Sequence, residues 1–141
     1  MSSPSSPAYV PTLLEKLFAL RSVQPFDRLA ADELALLAEV ARPRSYAPGA
    51  VIHPGEIPLT QLLVVTDGQA VDSQGTAAGP IAGVASLLHN APAEPLFADR
   101  VAGARLLAIG RHHFFTLARE CPEFVLGLIE LGEHGLPAAS P

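Results

Sequence analysis

Cysteine, tryptophan and long apolar runs are scarce or absent in this chain. Its 141 residues include one Cys, one Met and no Trp. The single thiol, Cys121, excludes an intramolecular disulfide and any cysteine-rich zinc site, which favours a reducing compartment. No apolar run reaches the ~18 residues of a membrane span, and Met1–Pro11 has no pattern of a signal peptide. We therefore expect a cytoplasmic protein without membrane contact.

Charge is also scarce, and its sign excludes one class of partner. Charged residues make up 16% and hydrophobic residues 49%, which is typical of a folding chain. The net charge of −5 argues against binding to the phosphate backbone of a nucleic acid. No segment after Leu131 resembles a DNA-reading helix-turn-helix. We expect a stand-alone domain with no nucleic-acid partner.

The residues that would indicate catalysis or metal binding are dispersed. His112 and His113 are adjacent, and neighbours on a helix point about 100° apart and chelate poorly. There is no H-x-x-x-H pattern and no cysteine pair. Ser86 does not lie in a G-x-S-x-G elbow, and the carboxylates form no catalytic pair. We expect neither a metal nor an enzyme.

Helical periodicity occupies the two ends of the chain. Thr12 is suited to cap a helix with an apolar stripe of Leu13, Leu14, Leu17, Phe18 and Leu20. A second helix is predicted over Ala31–Ala41, with Leu34, Leu37, Ala38 and Ala41 on its buried face. Further helices are predicted over Arg111–Glu120 and Pro122–Leu131, where Pro122 suits a first turn.

Between the helices, short β-rich runs alternate with glycine-containing turns. This pattern predicts an antiparallel barrel or roll from about Tyr46 to Ile109, with a hairpin from Leu96 to Ile109 that turns at Gly103. The stretch from Gly68 to Gly79 is short and predicts a clipped edge. The fold class is therefore α+β: an antiparallel β-roll, jelly-roll-like and similar to the double-stranded β-helix of cupins, with helices at both ends. We expect the domain over residues 12–131, with a flexible arm over 1–11 and a flexible tail over 132–141.

Six segments, taken in order, resemble the cyclic nucleotide-binding domains of the catabolite activator protein and protein kinase A regulatory subunit type. The first is the helical stretch from Phe26 to Ala38. The next three read Y-A-P-G-A-V-I-H-P-G-E from Tyr46, L-L-V-V-T-D-G from Leu62, and G-P-I-A-G-V-A-S-L-L from Gly79. The last two are L-L-A-I from Leu106 and the stretch from Phe114 to Glu123. The resemblance covers about residues 12–131.

The resemblance implies a ligand cassette, and the residues at its positions are the candidate site. They are Gly83, Val84, Ala85, Ser86, Ala93, Glu94 and Pro95. In the family a glutamate after the glycine binds the ribose 2′-hydroxyl, and an arginine about ten residues later binds the cyclic phosphate. Here Val84 has the first position, and Ala93 or Glu94 has the second, depending on a one-residue gap. Losing a desolvated charge-assisted partner reduces affinity by ~10²-fold or more.

Two hypotheses about function remain open. The first is a regulatory or interaction module with weak or absent cyclic nucleotide binding and no cofactor. It would act through a protein partner or a homodimer formed by the last helix, whose apolar residues are Phe124, Val125, Leu128, Ile129 and Leu131. The alternative is a small-molecule sensor that binds a cyclic nucleotide (cAMP or cGMP) or another anion through His89, Arg100 and cassette amides. An enzyme on a barrel fold is a third class, for which the sequence offers no constellation.

Overall fold

The computed structural model describes residues 9–134, with helices at both ends of this range and strands between them. The helices are α1 Leu13–Arg21, α2 Ala31–Val40, α3 Val84–His89, α4 Arg111–Glu120 and α5 Pro122–His134, and a single 3-10 turn spans Phe26–Arg28. The strands are β1 Arg42–Tyr46, β2 Val51–His53, β3 Gln61–Gly68, β4 Ala70–Val71, β5 Ile81–Ala82, β6 Leu96–Ala98 and β7 Ala104–Gly110. The predicted α+β class is confirmed.

Helix α1 begins where its capping residues require it. The backbone N–H of Glu15 donates to the Thr12 hydroxyl at 3.1 Å, and the Thr12 N–H donates to the Glu15 carboxylate at 2.8 Å. The predicted apolar stripe is present, but Leu20 is its only buried member. Leu14 and Phe18 are 60% and 59% exposed. The stripe is therefore wider than the surface against which α1 packs.

Helix α2 packs with its predicted face, and α5 packs against the turn that follows α1. Leu34, Leu37, Ala38 and Ala41 are all buried. The ring of Phe124 in α5 lies with its centroid 4.9 Å from that of Phe26, which follows α1. A Cβ at Gly127 would lie 2.7 Å from Cβ of Pro25, so glycine permits the close approach of α5 to this turn.

Two antiparallel sheets form the roll. The four-stranded sheet has the order β1-β7-β3-β5, and the three-stranded sheet has the order β2-β6-β4. The predicted hairpin through Gly103 is wrong, because β6 and β7 belong to different sheets. The chain crosses between them through a turn closed by one bridge from Asp99 to Gly103. The expected clipped edge is present: β4 and β5 contain two residues each.

The four-stranded sheet has an apolar cluster on each of its faces. One face packs against the helices, and we call its buried residues the helix-side cluster: Leu20, Phe26, Leu29, Leu34, Leu37, Ala38, Ala41, Leu62, Val64, Leu87, Leu107, Ile109, Phe114, Leu117, Phe124 and Leu128. The other face points into the roll. We call its buried residues, Leu63, Leu106 and Ala108, the roll cluster, against which Ile52 of the second sheet packs.

Both ends of the described range differ from the predicted boundaries. Tyr9 belongs to the predicted arm over residues 1–11, yet it contacts the sheet. Its hydroxyl group lies 2.9 Å from that of Thr66, and the Arg105 guanidinium lies 5.3 Å from the centre of its ring. Helix α5 continues past Leu131 to His134. Residues 1–8 and 135–141 of the expected arm and tail lie outside the described range, so the domain bounds stay a prediction. No helix in the described range combines the length and apolarity needed to cross a membrane.

Candidate functional site

The cassette begins at a glycine that no other residue replaces without strain. Gly83 has φ of 105° and precedes the first residue of α3. A Cβ at this position would lie 2.6 Å from the backbone oxygen of Gln61 in β3. The glycine therefore lets the start of α3 lie directly against the first residue of β3.

The end of α3 is fixed by a serine that the sequence assigned to the ligand. The hydroxyl of Ser86 is buried and donates to the backbone oxygen of Ala91 at 2.8 Å. Asn90 has a left-handed conformation, with φ of 56°, and its N–H donates to the Ser86 oxygen at 2.8 Å. Ser86 thus holds the turn after α3 in place, and its hydroxyl group donates its hydrogen bond within the chain.

The predicted phosphate-binding position lies against the loop between β2 and β3. The N–H of Glu56 donates to the Ala93 oxygen at 2.9 Å, and the N–H of Ala93 donates to the Ile57 oxygen at 3.2 Å. The buried ring of His53 makes a 2.8 Å hydrogen bond to the same Ile57 oxygen. Both backbone groups of Ala93 are therefore committed to protein partners.

The remaining cassette residues divide between the core and the solvent. Val84 is half-buried and packs against the helix-side cluster together with Leu88. Ala85 and Glu94 are exposed. Pro95 packs on Gly55, where a Cβ would lie 2.8 Å from the Pro95 ring. From Gly83 to Ala98 the sequence has neither lysine nor arginine.

The two non-standard residues of the sensor hypothesis lie at the far ends of their elements. His89 is the last residue of α3 and is exposed, whereas the free amides of this helix lie at its first residues. Arg100 is exposed in the turn that follows β6, whereas Ala93 precedes that strand. The strand therefore separates Arg100 from the cassette loop along the chain.

A different arginine contacts the strand residue against which the cassette begins. A guanidinium nitrogen of Arg44 donates to the Gln61 side-chain oxygen at 2.6 Å, and the backbone oxygen of Gln61 is the atom that a Cβ at Gly83 would approach most closely. Arg44 pairs in register with Leu106, so it projects from the face that points into the roll. The signal in the sequence that could have indicated Arg44 is its spacing of two residues from Arg42, because residues two apart in a strand lie on the same face.

Two cavities of the described range lie outside this site. One, of about 410 Å³, lies at the end of β3 and is lined by residues 65–70 with Ala77, Gly79 and Pro80. A second, of about 210 Å³, lies between β1 and the turn before β7. Neither is lined by a cassette residue. Within residues 9–134 no three His, Cys, Asp or Glu side chains are arranged to hold a metal ion.

No protein-family model and no curated protein matches the sequence, but solved structures match the fold. The regulatory domain of Toxoplasma gondii PKA with cAMP is 20% identical, with a TM-score of 0.68, over 87% of this chain and 50% of that one. The Thermus thermophilus catabolite activator protein is 25% identical, with a TM-score of 0.64, over 81% of this chain and 58% of that one. The chain thus spans about half the length of these two.

A third match is close to this chain in length. The sensor domain of the transcriptional regulator DNR from Pseudomonas aeruginosa is 14% identical, with a TM-score of 0.63, over 88% of this chain and 90% of that one. The chain therefore has the fold of the cyclic nucleotide-binding regulatory domains, a β-roll with flanking helices. The resemblance found in the sequence is confirmed at the level of the fold.

Proposed function

We propose that the chain is a regulatory or interaction module of this fold that binds cyclic nucleotides weakly or not at all. One observation carries the proposal. The segment from Gly83 to Ala98 contains no lysine or arginine, and its ribose-binding position is occupied by Val84, which packs on the apolar core. That the module works in the cytoplasm and has no catalytic activity stays a prediction.

The charge of a cyclic nucleotide makes its binding depend on a cation in the pocket. A cyclic phosphate loses hydration when it enters a pocket, and an arginine fork offsets that loss with charge-assisted hydrogen bonds. Neither Ala93 nor the exposed Glu94 supplies a cation. Without one, we expect affinity to be ~10²-fold or more below that of a pocket with both family residues.

Calorimetric titration with cAMP and cGMP at millimolar concentration tests the proposal. We expect no saturable heat from the unmodified chain. The double variants Val84→Glu/Ala93→Arg and Val84→Glu/Glu94→Arg restore the family residues in the two possible registers, and one of them should gain measurable affinity. Micromolar binding by the unmodified chain would contradict the proposal and favour the sensor alternative.

The same titration identifies the cation if the chain does bind. Arg44→Ala removes the arginine that donates to Gln61 in β3, and Arg100→Ala removes the one in the turn after β6. Loss of binding in Arg100→Ala alone would support the sensor hypothesis as the sequence first suggested it. Loss of binding in Arg44→Ala alone would instead indicate that the ligand binds in the interior of the roll.

We further propose that α5 makes the protein contact, either in a weak homodimer or with another protein. Phe124 and Leu128 are buried, whereas Leu126 and Ile129 on the same helix are exposed, Leu126 by 58%. The side chain of Leu131, also assigned to this surface, lies outside the described side chains. The apolar residues of α5 thus exceed what its own domain covers.

Light scattering across a concentration series tests this contact. We expect the apparent mass of the chain to rise with concentration, and Leu126→Glu to abolish the rise. Val101→Glu is the matched control, because Val101 is equally apolar, is exposed and lies in the turn between the two sheets. An equal loss in both variants, or a strict monomer at high concentration, would count against a homodimer through α5.

A further inference from the structure

A small groove separates helices α2 and α4 on the outside of the molecule. Its volume is about 200 Å³, and it is lined by Glu33, Leu36, Leu37, Val40, His113, Thr116, Leu117 and Glu120. Leu37 and Leu117 form a buried floor, whereas Leu36 is 63% exposed at the rim. The groove therefore presents apolar surface that no described residue of the chain covers.

The rim of the groove is acidic. Glu33 and Glu120 line it from the two helices. Helix α2 also carries Asp32 and Glu39 and has no basic residue. Helix α4 contributes the exposed His113 to the lining, and its Arg111 and Arg119 do not line the groove. One carboxylate oxygen of Glu33 accepts the Ala30 N–H at 3.0 Å, which leaves the second oxygen for another donor. A ligand in this groove would meet an apolar floor between two carboxylates.

We propose that this groove docks an amphipathic helix of another protein, with one large apolar anchor and Lys or Arg residues beside it. The size of the groove favours a side chain, because about 200 Å³ is less than the roughly 300–1,000 Å³ of small-molecule pockets. Apolar anchors at helical spacing are the ordinary means by which a helix binds a groove. The two carboxylates select cationic flanks and disfavour acidic ones.

Charge complementarity also argues against the chain's own ends as the occupant. Residues 1–8 and 135–141 contain no lysine and no arginine. Neither segment supplies a side-chain cation for Glu33 or Glu120. A partner with basic flanks therefore fits the groove better than either end of this chain.

This inference deepens the proposed function, since it rests on action by protein contact, but it concerns a surface other than the cassette and α5. The two proposals fail separately. Nucleotide titration reports on the cassette, and the Leu126→Glu variant reports on the contact through α5. The experiments below report only on the groove between α2 and α4.

Two synthetic helical peptides form the test. Both carry a single Leu as the apolar anchor, and they differ only in flanking Lys or flanking Glu. In ¹⁵N spectra of the full chain, we expect the Lys peptide to shift amides of α2 and α4 and to bind ~10-fold or more tightly than the Glu peptide, with a preference that weakens in salt. Equal affinities, shifts confined to other elements, or no binding of the Lys peptide at millimolar concentration would overturn the proposal.

Matched variants assign the binding to the named residues. Leu36→Ser and Glu120→Gln should each weaken binding of the Lys peptide by ~10-fold, in the range seen for interface anchors. Both residues are exposed, so the fold should be retained. Leu14→Ser on α1 and Glu130→Gln on α5 change equally exposed residues elsewhere and should leave binding unchanged. Self-association that Leu36→Ser removes would instead identify a second copy as the occupant and overturn the proposal.

Discussion

The two faces of the four-stranded sheet are built very differently. The helix-side cluster draws buried residues from all five helices and includes three fully buried phenylalanines, Phe26, Phe114 and Phe124. The roll cluster contains only Leu63, Leu106 and Ala108, and half-buried residues surround it. Most of the apolar burial of the chain therefore lies on one side of a single sheet.

This difference separates what holds the fold from what faces a ligand. The face toward the roll carries Arg44 and Gln61, next to the start of α3, and buries little. Helix α3 is held from the other side, through Leu87 and the half-buried Val84. Of the positions compared with the family, Val84 packs against the helix-side cluster, whereas Ala93 and the exposed Glu94 do not belong to it.

The largest effect should follow from opening the helix-side cluster. Phe124→Ala removes a fully buried ring that contacts Phe26, and such a truncation costs about 3–5 kcal/mol. Urea unfolding should show this loss as a lower midpoint at similar slope. Phe18→Ala, at a residue that is mostly exposed, is the control and should change the free energy of unfolding by less than about 1 kcal/mol. Equal losses would show that the burial of α5 is not what stabilises the fold.

A pair of adjacent leucines compares the two faces directly. Leu106 and Leu107 are both fully buried on β7, but Leu106 belongs to the roll cluster and Leu107 to the helix-side cluster. We expect Leu107→Ala to cost about 3–5 kcal/mol and Leu106→Ala about 2–3 kcal/mol, because the larger cluster has more packed neighbours to lose. The same urea titration measures both. A larger loss in Leu106→Ala would reverse our view of which face stabilises the sheet.

The sequence predicted this fold well wherever one local signal decided the structure. Thr12 caps α1 and Pro122 begins α5 where expected. It failed where pairing depends on distant residues. The runs on either side of Gly103 read as a hairpin, yet β6 pairs with β2 and β4, and β7 pairs with β1 and β3. Local alternation does not say to which sheet a strand belongs.

Prediction of the site was weaker, because its positions came from resemblance and its contacts are non-local. The role of Ser86 in holding the turn after α3 depends on Ala91 taking up the right position. Arg44 is remote from Gln61 in sequence and contacts it because β1 and β3 belong to the same sheet. Whether the cassette positions bind a ligand stays a prediction.

A smaller effect should follow from adding one methyl group at the junction between α3 and the sheet. Gly83 and Gly79 have similar φ values, 105° and 95°. A Cβ at Gly83 would lie 2.6 Å from the Gln61 oxygen, whereas nothing lies within 4 Å of one at Gly79. We expect Gly79→Ala to cost ~1 kcal/mol from its backbone conformation, and Gly83→Ala ~2–3 kcal/mol from conformation and contact together. Thermal unfolding of both variants would refute this if the two losses were equal.

The smallest effect concerns the turn that joins the two sheets. The carboxylate of Asp99 accepts the backbone N–H groups of Ala102 at 2.8 Å and Val101 at 2.9 Å. These two bonds hold the pKa of Asp99 below its ordinary value of 3.8, and the bond from Ala102 has the larger effect. Because the pKa is lowered in the folded state, the stabilisation is complete above pH 3.8 and is lost as the pH falls through the folded-state value.

Carbon-13 NMR of the Asp99 carboxyl group measures this pKa directly. We expect a titration midpoint below 3.8. The stability of Asp99→Ala should vary less between pH 5 and pH 2 than that of the unmodified chain, because the variant lacks the titrating group. The change should be small, since the carboxylate is open to solvent. A midpoint at or above 3.8 would mean that the turn between the two sheets does not hold the ionised form.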